Sequence, residues 1–344
     1  MSEFAALNAV YGSYFGVNPP TRVTVQVGFP VGEECRIQMD CLAFDHAESE
    51  KKWRKSVMHV QGVSYWAPSN IGPYSQTHKL NDHLHVAGQI GLIPHKMTLP
   101  ELSTDPTSLD QLVAESLICF NNLSAIADVQ GVKFPEDIAG VVCFVRRVEL
   151  LNAVRVLCEE KIEGFNKVSS LFLVVPVLPR SCAVEYQVLF QSPNDLIVED
   201  DDDDDEGNAV VLPKIAQVLR ESKTAVLNGD TSINATVSSW LRGSMTCVTG
   251  VLSVSDGASS IEQNHVNLLM APLVEVLQST FSKLKAEPVV IKFFHRKEIS
   301  REIISTSVAP YFKCGISIVP VDAVGVEGEG CGLVGVHVVF PHRS

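Results

Sequence analysis

No Cys-x-x-Cys pair occurs in this chain, although it holds nine cysteines, at positions 35, 41, 119, 143, 158, 182, 247, 314 and 331. None keeps a metal-ligand rhythm with histidine, so no zinc site or dithiol redox centre is written here. Most lie in apolar runs such as Val-Val-Cys143-Phe-Val, where a thiol behaves as a small hydrophobe. No signal peptide is present, and no apolar run reaches the ~18 residues of a membrane-spanning helix. These absences argue against a secreted disulfide scaffold and a membrane anchor, and point to a reducing, cytoplasmic setting. Gly-x-Ser-x-Gly is missing, which removes the usual support for a serine hydrolase. Positive charge is scarce: 27 Lys and Arg stand against 40 Asp and Glu, a net charge of −13. Phosphate backbones are bound by clustered Lys and Arg, so nucleic acid is not the expected partner.

What the chain does contain is a globular composition, 46% hydrophobic and 19% charged. Its 344 residues suit two or three domains. Part of the negative charge is local, in the unbroken acidic run Glu199–Glu206. Such a run repels itself and reads as a solvated linker over 195–208; a dock for a basic partner is the alternative.

Periodicity divides the rest. Phe4, Leu7, Tyr11 and Phe15 follow helical spacing from the start, and the pattern stops near Gly16-Val-Asn-Pro-Pro20. Two β runs follow, Arg22–Val27 and Cys35–Phe44, and then a polar stretch, Asp45–Lys55. The next block opens on a loop at Tyr65–Gln76 and a strand at Leu84–Leu92 broken by Gly88. Ser108 and Gln111 form a capping-box pattern before a long helix. A strand at Ile138–Val145, a helix at Val148–Glu160 and strands at Leu171–Leu178 and Cys182–Phe190 complete it. The same order recurs after the acidic run: a strand near Ser244–Ser253, a helix at His265–Leu284, a strand at Val289–His295, a helix at Ile299–Tyr311, and strands at Cys314–Val321 and Leu333–Phe340. That is an internal repeat of about 135 residues. The expected units are therefore 1–45, a second half of one module; 58–194, a complete module; and 209–344, a degenerate copy.

The run Tyr65-Trp-Ala-Pro-Ser-Asn-Ile-Gly-Pro-Tyr-Ser-Gln76, followed by His85-Val-Ala-Gly-Gln-Ile-Gly-Leu-Ile-Pro94, resembles the start of Rid (reactive intermediate deaminase, YjgF-like) proteins. Glu3–Tyr11 is similar to that family's second helix, and Pro20-Thr-Arg22 to the start of its fifth strand. The spelling of the first motif, inside tandem modules, also resembles the C-terminal region of eukaryotic diphthine–ammonia ligases. The resemblance implies an α+β fold of tandem Rid-like (chorismate-mutase-like) modules. Each would be a mixed sheet with two helices on one face, and together they would form an intramolecular pseudo-trimer. It further implies an ATP-dependent parent enzyme that amidates diphthine on elongation factor 2. Its ATP would be held by a phosphate loop of the Ser-Gly-Gly-Lys-Asp-Ser type, which this sequence does not contain. The chain is thus expected to be scaffold or docking region, with no cofactor or metal of its own.

By the same resemblance, a Rid site holds a small carboxylate on a buried arginine, positions water with an acid and closes with a tyrosine. Bidentate pairing with a carboxylate is the reason for Arg over Lys. Arg22, Asp40 and Tyr74 are the corresponding catalytic residues, with Asn8, Ser75, Gly88 and Gln89 as ligand-binding ones. In the complete module the arginine's place falls near Ser170 and the acid's at Gln187; in the third, Gly315 and Ile316 stand near the arginine's place. On composition alone, Arg22 is a surface cation and Asp40 a solvent-facing strand residue. Imine or enamine deamination is the alternative to a scaffold. His83 and His85 alternate on one strand, but no third ligand stands at metal spacing.

Overall fold

The computed structural model describes residues 3–29, 36–43, 54–192, 217–228, 231–242, 245–255, 266–285, 287–326 and 331–341. The acidic run and the 195–208 linker around it lie outside the described residues, as does most of the polar stretch 45–55. The described residues form two sheets and five α-helices.

The first sheet begins with β1 (Lys55–Met58), β2 (Thr77–Leu80), β3 (His83–Val86) and β4 (Gln89–Ile90), and continues through β5 (Ile138–Val145), β6 (Ser169–Val174) and β7 (Val184–Gln191). Its order is β1-β2-β3-β7-β5-β6, with β4 also on β7; β5 and β6 are parallel and the other pairs antiparallel. Helices α2 (Leu109–Val129) and α3 (Leu150–Lys161) cover one face. β5 is apolar at nearly every position because both its faces are buried. Val141, Cys143 and Val145 point to the helices, while Val142 and Phe144 point to a second core on the opposite face. The Ser108 side chain caps α2 by accepting the Gln111 amide. The Gln111 side chain does not complete a capping box; it donates to the Pro100 carbonyl and to Glu115. α2 is also long and apolar enough to cross a membrane by length and composition, which the run-length reading missed; half of that stretch is buried inside this fold.

The second sheet is built of β8 (Gln217–Asn228), β9 (Thr231–Arg242), β10 (Met245–Val254), β11 (Val290–Arg296), β12 (Gly315–Val321) and β15 (Val334–Pro341). Its order, β8-β9-β10-β15-β11-β12, matches the first sheet strand for strand, with β11 and β12 as the parallel pair. Helices α4 (Val266–Leu284) and α5 (Arg301–Val308) cover one face. Sequence reading missed β8 and β9, although Ile233, Ala235 and Val237 alternate inward with period two.

The N-terminal segment departs from expectation. Helix α1 (Phe4–Tyr14) forms, but the β runs expected at Arg22–Val27 and Cys35–Phe44 contain no strand among their described residues, apart from an isolated bridge between Gln26 and Val177. Among the described residues, no strand of a sheet of its own lies beside 22–27. The segment still alternates, placing Val23, Val25 and Val27 on the core shared by Phe144, Leu173, Phe294 and Val321.

Three junctions link the units in a cycle. β13 (Ala323–Gly325), followed by β14 (Cys331–Gly332), pairs with β6 of the first sheet. The residues after β6 bridge to Gln26. Gln38 and Asp40 then bond Ser317 on β12. A polar lock also ties the two sheets together: Arg242 pairs with Asp137 at 2.9 Å, and Gln191 bonds both Asp82 and the Arg242 carbonyl. Asp137 is nearly buried, so removing its partner strands a charge. Arg242→Leu should destabilise the fold by about 2–4 kcal/mol, read by urea unfolding. A change under about 0.5 kcal/mol would show that the lock contributes nothing.

Candidate functional site

The pocket lies on the seam between the N-terminal segment and the first sheet. Pro20 and Arg22 are stitched to it by backbone bonds: Ser75 N–H donates to the Pro20 carbonyl at 3.2 Å and Gly88 N–H to that of Arg22 at 3.1 Å. His78 Nε2 meets the Pro19 carbonyl at 2.9 Å. The loop ahead of β2 is held from inside by Gln76, whose amide bonds both Val60 and Pro68, and by Asn70, which donates to the Tyr74 carbonyl. Helix α1 rests against this loop, where Gly12 lies close to Pro73.

Arg22 is thereby placed in an aromatic cradle. Its guanidinium carbon lies 4.7 Å from the Tyr11 ring centroid, 5.5 Å from Tyr74 and 5.7 Å from Phe4. Nη2 donates to Asn8 Oδ1 at 2.7 Å, and Nη1 is buried with no partner. A side chain at position 72 would crowd this group, since a Cβ there would stand 2.8 Å from Nη2. The pocket, a cavity of about 20 Å³, is lined by Phe4, Arg22, Thr24, Ile71, Tyr74, Gly88, Ile90, Pro179 and Glu185.

Glu185 was missed in the sequence. It sits on β7 opposite Ile90 and Phe144, buried to 3% exposure, and its Oε2 also has no partner. A Cβ at position 88 would collide with its carboxyl, which is the physical demand for Gly88. Burial pushes the Glu185 carboxyl up to about 8, against the pull of Arg22, so it is neutral at neutral pH. Burial likewise pushes the Tyr74 hydroxyl up to about 12 and lowers Arg22, which keeps its charge regardless.

The expected residues divide accordingly. Arg22, Asn8, Tyr74 and Gly88 come together. Asp40 does not join them: it accepts from Ser317 at 2.8 Å and lies 3.6 Å from Lys292, at the seam with the second sheet. The acid at the pocket is Glu185, two residues before Gln187. Positions two apart share a strand face, so alternation alone does not separate them. Gln89 is turned away from the pocket that its neighbour Ile90 lines; its amide donates to the Ala87 carbonyl. Ser75 is fully buried outside the lining, with its hydroxyl unpartnered.

Strand register explains why the second sheet has no equivalent pair. Phe144 faces Glu185 on one side and Leu173 on the other; Phe294, in the same core, faces Gly335 and Val319. Gly335 therefore stands where Glu185 stands, and three residues before Val319 is Ile316, matching Ser170 in the first sheet. A Cβ at 335 would lie 2.9 Å from Leu171, so no room for a carboxylate remains.

Glu185 gives the site a measurable pH signature. Between about pH 4.5 and 8 the native chain keeps a proton that the unfolded chain has released. Stability should fall as pH rises through that window, by up to about 1.4 kcal/mol per unit from this group. Glu185→Gln removes the term: wild type and variant should match near pH 4, and the variant should gain steadily up to pH 8. Urea titrations showing a constant difference across that range would contradict a neutral Glu185.

No family model matches the chain. It is similar to the diphthine–ammonia ligase of Schizosaccharomyces pombe, 35% identical over 191 residues, which is 55% of this chain and 28% of that protein. The Saccharomyces cerevisiae diphthine–ammonia ligase is 38% identical over 124 residues, 33% of this chain and 17% of that protein. A RutC family protein of Aquifex aeolicus is 26% identical over 124 residues, covering 36% of this chain and 91% of the relative. The chain thus spans under a third of either ligase. Among solved structures, the Rid family protein YyfA of Yersinia pestis is 24% identical and covers 40% of this chain and 99% of its own, with a TM-score of 0.35. The chain is therefore similar over about half its length to part of a diphthine–ammonia ligase, and over about a third to a RutC family protein.

Proposed function

We propose that the seam pocket binds a small carboxylate and hydrolyses imines or enamines derived from amino acids. The observation that carries this reading is a pair of unpartnered buried atoms, Arg22 Nη1 and Glu185 Oε2, in residues lining one pocket. Leaving both unpaired is costly unless a ligand takes them up. An α-imino acid answers both: its carboxylate meets the guanidinium, and its nitrogen or an added water meets the carboxyl. Phe4, Ile71, Ile90 and Pro179 would take an apolar side chain.

The chemistry balances with these groups alone. Glu185, neutral at the outset, protonates the imine nitrogen and becomes a carboxylate. Water adds to the imine carbon and returns a proton to Glu185, giving a carbinolamine. Glu185 passes that proton to nitrogen, the C–N bond breaks as the Glu185 carboxylate takes the proton of the carbinolamine hydroxyl, and ammonia leaves with a 2-oxo acid, with Glu185 neutral again. Tyr74, neutral throughout the working range, donates a hydrogen bond.

A second reading is favoured by the likeness to the two ligases: the chain is the Rid-like region of a diphthine–ammonia ligase, serving as scaffold or as dock for elongation factor 2. ATP would then be held by a part of the enzyme outside this chain, in the cytoplasm. The two readings are compatible, since a docking surface leaves the pocket free.

An amino-acid oxidase supplying imine in situ provides the test, with ammonia release followed by time. The chain should accelerate release. Glu185→Gln should lose at least about 100-fold in rate while still binding 2-oxobutyrate, and Arg22→Lys should weaken that binding about tenfold or more. No acceleration by wild type, with 2-oxobutyrate binding indifferent to Arg22, would refute the deaminase reading. For the docking reading, the purified chain should retain elongation factor 2 on a column and show no saturable ATP binding at micromolar concentration. Failure to retain the factor, or micromolar ATP affinity, would refute it.

A further inference from the structure

The seam pocket is too small for the ligand its polar atoms call for. Its volume of about 20 Å³ is roughly the space of one water, and no 2-oxo acid fits inside it. One of its walls therefore has to move before a ligand can reach Arg22 Nη1 and Glu185 Oε2.

The lining residues differ in how they are held. Ile90 and Glu185 are paired in the first sheet. Arg22 and Thr24 lie between two backbone bonds, Gly88 N–H to the Arg22 carbonyl and Gln26 N–H to that of Val177. Ile71 and Tyr74 sit in the loop tied by Asn70, Gln76 and the bond from Ser75 to Pro20. Pro179 begins a turn that Arg146 holds through the Ser181 carbonyl at 3.0 Å. Phe4 is different. It stands on α1, and among the described residues no backbone group of that helix bonds outside the helix and its cap. Tyr11 is its one buried residue, and its N-terminus has no side-chain cap.

The chain leaves α1 in extended backbone at Phe15, and residues 15–18 are exposed. Anchoring resumes at once: the Val17 carbonyl meets His59 Nδ1 at 2.9 Å and the Pro19 carbonyl meets His78 Nε2. What α1 offers the pocket is side chains alone, Phe4 and Tyr11 against the guanidinium and Asn8 accepting from Nη2.

We propose that α1 is the lid of the seam pocket, pivoting at Phe15 and Gly16 to admit a ligand, and that the structure shows it closed. The inference rests on the carboxylate-binding reading above and adds how that site is reached. Opening withdraws Phe4, while Arg22, Tyr74 and Glu185 keep their places against the first sheet. Closing returns Asn8 to Nη2, which aims Nη1 at the ligand.

Position 12 allows the lid to be locked. A Cβ there would stand 3.4 Å from the Pro73 Cβ, near the ~3.5–4.5 Å that a disulfide spans. The full chain carrying Gly12→Cys and Pro73→Cys, with the exposed Cys41→Ser to prevent exchange, is oxidised and titrated with 2-oxobutyrate. The oxidised protein should bind at least about 20-fold more weakly than wild type, and dithiothreitol should return the affinity to within about twofold. Unchanged binding with the disulfide closed would overturn the lid. If the reduced form stays weak, the substitutions themselves harm the pocket and Phe4→Ala decides. In stopped flow that variant should take up 2-oxobutyrate about fivefold faster or more, and an unchanged association rate would overturn the proposal. If wild type binds no 2-oxobutyrate at all, the carboxylate reading itself fails and takes this inference with it.

Discussion

The apolar core on the helix-free faces of the sheets is the constraint from which the rest follows. Phe144 and Leu173 enter it from the first sheet, Phe294 and Val321 from the second, and Val23, Val25 and Val27 from the N-terminal segment. Each sheet already buries one face under its own helices, and the other face has to be covered by a neighbour. That requirement draws three pieces of chain to one centre and leaves seams between them. The pocket is one of those seams. Arg22 reaches it because the alternation that turns Val23 inward sets its predecessor on the other side, against Tyr11, Tyr74 and Asn8.

The seams have diverged in chemistry while the sheets have kept their order. At the first seam a guanidinium and a neutral carboxyl face a common space. At the second, the corresponding positions are Ser170 and Gly335, and Leu171 occupies the room a carboxylate would need. At the third, Asp40, Gln38, Ser317 and Lys292 bond one another, and of these only Gln38 Oε1 is left as a buried atom without a partner among the described residues. Buried polar atoms without partners mark ligand sites better than polar residues do, since only the former have bonding capacity to offer.

Legibility in the sequence followed the same division. β5, α2, α3, β10, α4, β11, α5, β12 and β15 were readable because each carries a strong period or an unbroken apolar run, whereas the two- and three-residue strands β13 and β14 were not. β9 was not, because its inward residues are the modest Ile233, Ala235 and Val237 among Ser, Thr and Asn. The segment 22–27 has the strand pattern without the strand, since alternation records which side is buried and not whether a hydrogen-bonded neighbour exists. Arg22, Asn8 and Tyr74 could be picked from motifs, whereas Glu185 was displaced to Gln187 by a two-residue shift that preserves the face. The register of β7 against β4 fixes it, and register is a tertiary fact. A hint was nonetheless present: a lone Glu between Val184 and Tyr186, in a strand otherwise buried, requires a reason for its charge.

The central claim is that Arg22 and Glu185 form one binding unit at the seam. A crystal structure of the chain soaked with 2-oxobutyrate addresses it most directly. The account predicts the ligand carboxylate within hydrogen-bond reach of Arg22 Nη1, about 3 Å, with the carbonyl oxygen toward Glu185. A carboxylate bound elsewhere, or a pocket still empty at a ligand concentration that saturates in solution, would contradict it.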